Sequence, residues 1–369
     1  MITPPFRADH VGSLLRPQNL KQAYLDFKDG SLSAEAFKEI EDQEISRVIN
    51  KQCDIGLKSI SDGEFRRQIY FGHFIDACSG FTMMKSEIEF DETGRKIKYN
   101  SPAVTGKVKR EHPVAGNEIP FVQLHLPDDT VQKVTLPSPA DMHAFRYREG
   151  VSDQPEVYPD LDQFFEDITI AYQQEIADLA SRGATYIQLD DTTFTLFCDP
   201  MWRKRFADRR YDPDQMIGRY VDWINACISE RPANMTVALH QCRGNNQGEW
   251  LFSGGYEAVA EQIFGRLNID TFFLEYDSER AGGFEPLRFV PQEKFVVLGL
   301  ISSKSANLEK QDDLLRRIEE ASNFFPQAQM GISPQCGFAS TAPGNPLTED
   351  DQWRKLEMVV NTAQMVWGD

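Results

Sequence analysis

Positive charge is scarce in this chain. Its 369 residues hold 39 Lys or Arg against 57 Asp or Glu, a formal net charge of −18. Nucleic acid or an anionic membrane surface would demand a basic patch, so neither is expected as a partner. Long apolar runs are missing too: the opening Met1-Ile2-Thr3-Pro4-Pro5-Phe6-Arg7 leads at once into polar residues. That excludes a secretory h-region and a membrane span, and the expectation is a soluble, cytoplasmic protein. Cysteine is sparse, with six residues (53, 78, 198, 227, 242 and 336) scattered along the chain. Such spacing is no disulfide framework; in a reducing compartment these thiols are core fillers, ligands or nucleophiles. No Pro/Ser/Gly-rich linker divides the sequence, so residues 1–369 are expected to form one domain. No G-x-G-x-x-G follows the first strand, which removes the main support for a doubly wound dinucleotide-binding sheet.

What is present centres on Val237-Ala238-Leu239-His240-Gln241-Cys242-Arg243-Gly244-Asn245, an apolar run ending in His-x-Cys. Residues two apart on a strand point to the same face, so His240 and Cys242 can aim at one point. An imidazole and a thiolate at one point are half of a tetrahedral zinc site. Two later apolar runs supply candidates for the other half: Phe272 to Asp277 carries Glu275, and Ile332 to Gly337 carries Cys336. A buried cysteine or a core-edge histidine is usually structural when it stands alone. Four candidate ligands, each at a strand end, argue for Zn²⁺.

Taken in order, the chain alternates strands and helices. Strands are expected at about 6–11, 57–61, 131–136, 186–191, 235–240, 270–275, 294–300 and 329–333. Helices are expected at about 33–53, 161–182, 212–230, 256–266, 308–322 and 350–365. Eight strands, mostly alternating with helices, are the arithmetic of an α/β fold, the (β/α)8 TIM barrel. Residues 80–130 break the rhythm. Their alternating stretches 96–108 and 119–126 suit a β-hairpin inserted after the second strand. Active sites of such barrels lie at the C-terminal strand ends, where Gly12, Ser13, Glu64, Asp190, His240, Cys242, Glu275 and Cys336 all fall. The Asp62-Gly-Glu-Phe-Arg-Arg run joins carboxylates to guanidinium groups; a solvated, salt-bridged turn would look the same.

The runs His10-Val-Gly-Ser, Asp62-Gly-Glu-Phe-Arg-Arg, Gln188-Leu-Asp, His240-Gln-Cys-Arg-Gly-Asn, Glu275-Tyr-Asp and Pro334-Gln-Cys-Gly-Phe-Ala-Ser occur in an order that resembles the C-terminal catalytic barrel of cobalamin-independent methionine synthase. Its short, single-barrel relatives match best, through runs like His240 to Asn245 and Glu275 to Arg288. The resemblance implies zinc ligands at His240, Cys242, Glu275 and Cys336. It further implies a homocysteine site, with the carboxylate on the backbone near Gly12 and Ser13 and the ammonium on Glu64 and Asp190. The chemistry agrees: two acids can pair an α-ammonium, free amides of a turn can hold a carboxylate, and zinc lowers the pKa of a bound thiol. Glu275 is the weakest ligand for a borderline-soft ion and is the one expected to yield to substrate sulfur.

Three departures stand out. The family's full-length enzymes carry a second, N-terminal barrel for folate polyglutamate that this sequence does not show. Pro137-Ser138-Pro139 stands where the family places a pterin-stacking tryptophan, and Lys304 where it places a catalytic histidine. The expectation is a zinc-dependent thiol S-methyltransferase, homocysteine to methionine, with Glu275 and Lys304 in the catalytic apparatus and a donor other than folate polyglutamate. The alternatives are alkyl transfer to another thiol, as in barrels that open epoxides with coenzyme M, and a closed, non-catalytic zinc site. Expected partners are a small-molecule thiol and a methyl donor; a homo-oligomer stays open.

Overall fold

The computed structural model describes residues 3–90, 94–116, 118–148, 156–209 and 211–368. Its strands are β1 (Ser59–Ile60), β2 (Cys78–Phe90), β3 (Arg95–Arg110), β4 (Val131–Pro137), β5 (Tyr186–Asp191), β6 (Thr236–Gln241), β7 (Thr271–Glu275), β8 (Phe295–Ile301) and β9 (Met330–Pro334). Seven of them form one sheet in the order β1-β4-β5-β6-β7-β8-β9, every pair parallel. Both faces are buried, as the unbroken apolar run Phe295–Ile301 demands. Odd and even positions go to different sides. Ile187, Leu189, Val237, Leu239, Phe272, Leu274, Val296 and Leu298 join the large core with the helices, while Tyr186, Ala238, Phe273, Phe295 and Val297 form a separate cluster inside the curl. Continuing that inner alternation towards the C-terminal strand ends brings Thr135, Asp190, His240 and Glu275 to the inner face.

The first expected strand, 6–11, is not a ladder strand. Only Ala8 bridges, to Ile332 of β9. The reason is competition from side chains: the Asp9 carboxylate accepts from the His10 amide at 2.7 Å and from Ser59 Oγ at 2.6 Å, and Lys133 Nζ takes the His10 carbonyl. Those same bonds curl the sheet. Residues 8–10 touch β9 through Ala8 and β1 through His10 Nε2 on the Ser59 carbonyl, so both sheet edges meet on one short segment.

The expected pairing of 96–108 with 119–126 is also corrected. β2 pairs antiparallel with β3, and Ile119–Gln123 is a short helix with proline in its first turn. Residues 91–93 and 117 of that segment lie outside the described residues. The ribbon is fastened to the helix Leu161–Ser181, where Arg110 pairs with Glu175 at 2.7 Å and with Asp178 at 3.0 Å. Other helices start where side chains cap them: Ser33 for Ala34–Asp54, Asp212 for Pro213–Cys227, and a Thr348/Asp351 capping box for Glu349–Trp367. The helix expected at 256–266 is split into a 3₁₀ turn, Tyr256–Ala258, and an α-helix, Ala260–Arg266. Among the described residues no helix is long and apolar enough to cross a membrane.

Candidate metal centre

His240 is the penultimate residue of β6, Cys242 follows that strand directly, Glu275 ends β7 and Cys336 lies just beyond β9. All four are buried, and one donor atom from each lies within 4.8 Å of the others, the group of this kind found among the described residues. The two sulfurs are 3.5 Å apart. Four ligands around zinc at ordinary bond lengths lie roughly 3.5 Å from one another, so small side-chain adjustments close the set on an ion. His240 adds an independent sign of fit, because both its ring nitrogens are buried without a hydrogen-bond partner. An imidazole so placed costs free energy unless something takes up a nitrogen lone pair.

The electrostatics of the four differ. Burial would raise the Glu275 carboxyl, but Lys304, Arg280 and Arg243 outweigh it and bring its pKa down to about 2. Glu275 Oε1 accepts from the Arg243 amide and Oε2 from Arg280, each at 2.8 Å. Tyr256 fixes the strand end from behind, its hydroxyl accepting from the Glu275 amide at 3.0 Å. Cys336 beside it, with burial, holds the Cys242 thiol well above its ordinary value. Burial acts to lower His240, yet Cys242, Asp190 and Glu275 together raise it.

Beside this centre lie the residues expected to take an amino acid. Asp190 pairs with His240 in the β5–β6 register and accepts from Gln188 Nε2 at 2.8 Å. Burial pushes its carboxyl up to about 7, against the pull of His240. Glu64 sits at φ 60°, in the left-handed region, and accepts from Thr135 Oγ1 at 2.9 Å. Burial raises Glu64, opposed by Arg67. Gly12 has φ 127° and backs onto both partners: a Cβ there would meet Thr135 Cγ2 at 2.8 Å and Glu64 Oε1 at 3.0 Å. Ser13 holds the loop after Cys336, its carbonyl accepting from the Phe338 amide at 3.0 Å. Lys304 Nζ reaches Glu275 Oε2 at 3.7 Å and is buried with no hydrogen-bond partner.

The residues expected from the sequence are thus neighbours in space. Sequence reasoning missed their supports. Arg67 NH1 donates to Thr135 Oγ1 at 2.8 Å, linking residues 68 positions apart into a relay that ends on Glu64. Arg280 stands within the Glu275 to Arg288 run, where the sequence alone gives it no role, and Trp250 lies under its guanidinium at 5.2 Å.

A family model described as the catalytic domain of cobalamin-independent synthase matches residues 6–364. The chain belongs to that family. The Bacillus subtilis (strain 168) protein YxjH, itself uncharacterized, is 42% identical over 368 residues, covering 98% of this chain and 95% of that one. A crystal structure from Listeria monocytogenes, assigned to the vitamin-B12-independent methionine synthases, is 35% identical with a TM-score of 0.79 over 100% of both chains. A B12-independent methionine synthase from Shewanella sp. W3-18-1, solved in complex with selenomethionine, shares the fold at 19% identity and TM-score 0.75, covering 98% of this chain and 97% of that one. Membership in the cobalamin-independent synthase family implies a methyltransferase of the methionine synthase type.

Proposed function

We propose that the protein is a zinc-dependent thiol S-methyltransferase that converts homocysteine to methionine, with His240, Cys242, Glu275 and Cys336 as the metal ligands. The observation that carries this reading is the meeting of four donor atoms within 4.8 Å beside two buried acids, Asp190 and Glu64. Zinc, when bound, would lower the pKa of an incoming thiol and keep its sulfur nucleophilic at neutral pH.

The chain's own residues do the rest. Asp190 and Glu64 pair the α-ammonium, and the turn at Gly12 and Ser13 receives the α-carboxylate, so the amino acid is held at both charged ends. Gln188 Nε2 donates to the Val11 carbonyl at 2.6 Å and Ser61 Oγ to the Gly12 carbonyl at 2.6 Å, which fixes the peptide planes of that turn. The side-chain sulfur then points towards the metal ligands. Methyl transfer forms the sulfur–carbon bond as the donor–carbon bond breaks, and the electron pair of that bond leaves with the donor. The small-molecule thiol and the methyl donor are the only partners this chemistry needs. A structural zinc site is the weaker reading, because such sites cluster their ligands in short loops and here they come from three strand ends.

The test is metal content together with ligand exchange. Purified protein should hold about one zinc per chain, and Cys242→Ser and Cys336→Ser should each lose most of it while keeping the fold. X-ray absorption should gain a sulfur ligand when homocysteine is added. Full zinc occupancy in both variants would remove the assignment; a first coordination shell unchanged by homocysteine would leave a structural site.

A further inference from the structure

Resting on that reading of the metal centre, we propose that Arg280 and Lys304 form a clamp that competes with the metal for the Glu275 carboxylate. They act as positioning residues that keep the fourth coordination position open to a substrate thiol.

The argument begins with how completely that carboxylate is engaged. A ligating carboxylate is itself hydrogen-bonded, and each further cation on its oxygens competes with the metal for the remaining lone pairs. Here Oε1 accepts from the Arg243 amide at 2.8 Å, while Oε2 accepts from Arg280 at 2.8 Å and faces Lys304 Nζ at 3.7 Å. Both oxygens therefore carry a donor, and two full cations face Oε2, one of them hydrogen-bonded to it. All three side chains are largely out of water: Glu275 is fully buried, Arg280 is 11% exposed and Lys304 is 9% exposed. Attraction between them is little screened.

Arg280 does not depend on Glu275 for its place. Its guanidinium also pairs with Asp277 at 3.2 Å and lies over the Trp250 ring at 5.2 Å, so it is a fixed receptor. Lys304 Nζ has no hydrogen-bond partner and is the group that gains one when the carboxylate swings towards it. Charge works in the same direction. Two cysteinates would already neutralise a divalent ion, so its hold on a third anion is weakened while two nearby cations attract that same carboxylate. The His240 ring has no hydrogen-bond partner among the described residues, and the sulfurs meet neutral groups, Cys242 the Gly244 amide at 3.3 Å and Cys336 the Ser340 hydroxyl at 3.7 Å, so these three remain as fixed ligands.

The sign of the effect on zinc affinity separates a clamp from an ordinary support. Supporting residues orient a ligand, and their loss costs about 10–100-fold in metal affinity. Loss of a clamp does the reverse. Arg280→Gln and Lys304→Met should each bind zinc about tenfold more tightly in chelator competition, equivalent to about 1.4 kcal/mol. In both variants the sulfur ligand seen by X-ray absorption should require about tenfold more homocysteine to appear, following the same conversion. Arg280→Lys should stay near the wild type in both measurements. Circular dichroism and melting temperature establish that each variant is folded, and if Arg280→Gln is not, Lys304→Met decides. Zinc affinity that falls or stays unchanged in folded variants overturns the clamp while leaving the metal centre intact. Wild-type protein that takes up no zinc overturns the metal centre and the clamp with it.

Discussion

Asp190 on β5 lies directly opposite His240 on β6 in the parallel register. The carboxylate proposed for the substrate ammonium thus stands one strand from a proposed metal ligand, and both point into the curl of the sheet. A substrate held at Asp190 can therefore place its sulfur at the metal only if its amine and thiol are a few bonds apart, as in homocysteine. Replacing Asp190 with Asn keeps the shape and the Gln188 contact but removes the charge. The expected result is a loss of roughly 2 kcal/mol in homocysteine use, the scale of a charged hydrogen bond. Zinc content should hold, and a thiol without an amine should be indifferent. Equal losses for both thiols would make Asp190 a structural residue.

Gly12 is a second place where backbone geometry bears on binding. At φ 127° a side chain is strained, and its Cβ would press on Thr135 Cγ2 at 2.8 Å and on Glu64 Oε1 at 3.0 Å. Gly12→Ala should destabilise the protein by about 1–3 kcal/mol, the scale of a forced backbone conformation. It should also raise KM for homocysteine, because Glu64 is displaced from Thr135. Urea unfolding and steady-state kinetics on the same preparation check both effects, and an unchanged KM would detach Gly12 from the substrate site.

The four-residue cluster is legible in the sequence because strand periodicity is a strong rule. His240 and Cys242 are two residues apart, and Glu275 and Cys336 follow apolar runs. Other features escaped for identifiable reasons. Ile119 to Leu126 alternates like a strand, yet Ile119 and Val122 are the buried pair, three apart, and Pro120 favours a helix start. The segment 6–11 reads as a strand, but Lys133, more than 120 positions away, takes the Asp9 carboxylate and the His10 carbonyl. The Arg67–Thr135–Glu64 relay is equally non-local. Long-range polar contacts of this kind leave no period in the sequence.

A pH effect follows from Glu118, which lies 3.8 Å from Arg67. Burial, and then the charge of Asp62, push its carboxyl up to about 8. An acid whose folded-state pKa is raised binds its proton more tightly in the native state than in the unfolded chain. Stability is therefore lost as pH climbs from the ordinary carboxylate range, near 4.5, towards about 8, by up to about 1.4 kcal/mol per pH unit. Glu118→Gln removes this titration. The variant should gain on the wild type steadily across that window and by a constant amount above it. Denaturant midpoints at pH 5, 6.5 and 8, taken as assay settings for the linkage relation, test the slope. A difference independent of pH would show that Glu118 is ionised throughout.

The methyl donor is the last question, and the segment after β4 bears on it most. Pro137-Ser138-Pro139 has no aromatic ring to stack on a pterin, and the structure closes the position off. The Pro137 carbonyl accepts from Tyr172 at 2.6 Å, the Ser138 amide donates to the Asp190 carbonyl at 2.7 Å, and Ser138 is fully buried. Loss of an aromatic platform is worth about 1–3 kcal/mol per ring, by analogy with stacked nucleobases. The acidic balance of −18 further disfavours the carboxylates of a polyglutamate tail. Methionine should therefore form from homocysteine with at least one small or differently held donor, such as methylcobalamin or a methylated sulfur compound, and much more slowly with methyltetrahydrofolate triglutamate. Side-by-side turnover at fixed homocysteine decides it. Efficient use of the triglutamate would mean that other surfaces at the barrel mouth, with Trp250 beside Arg280 the first to test by substitution, supply the stacking that the β4 end lacks.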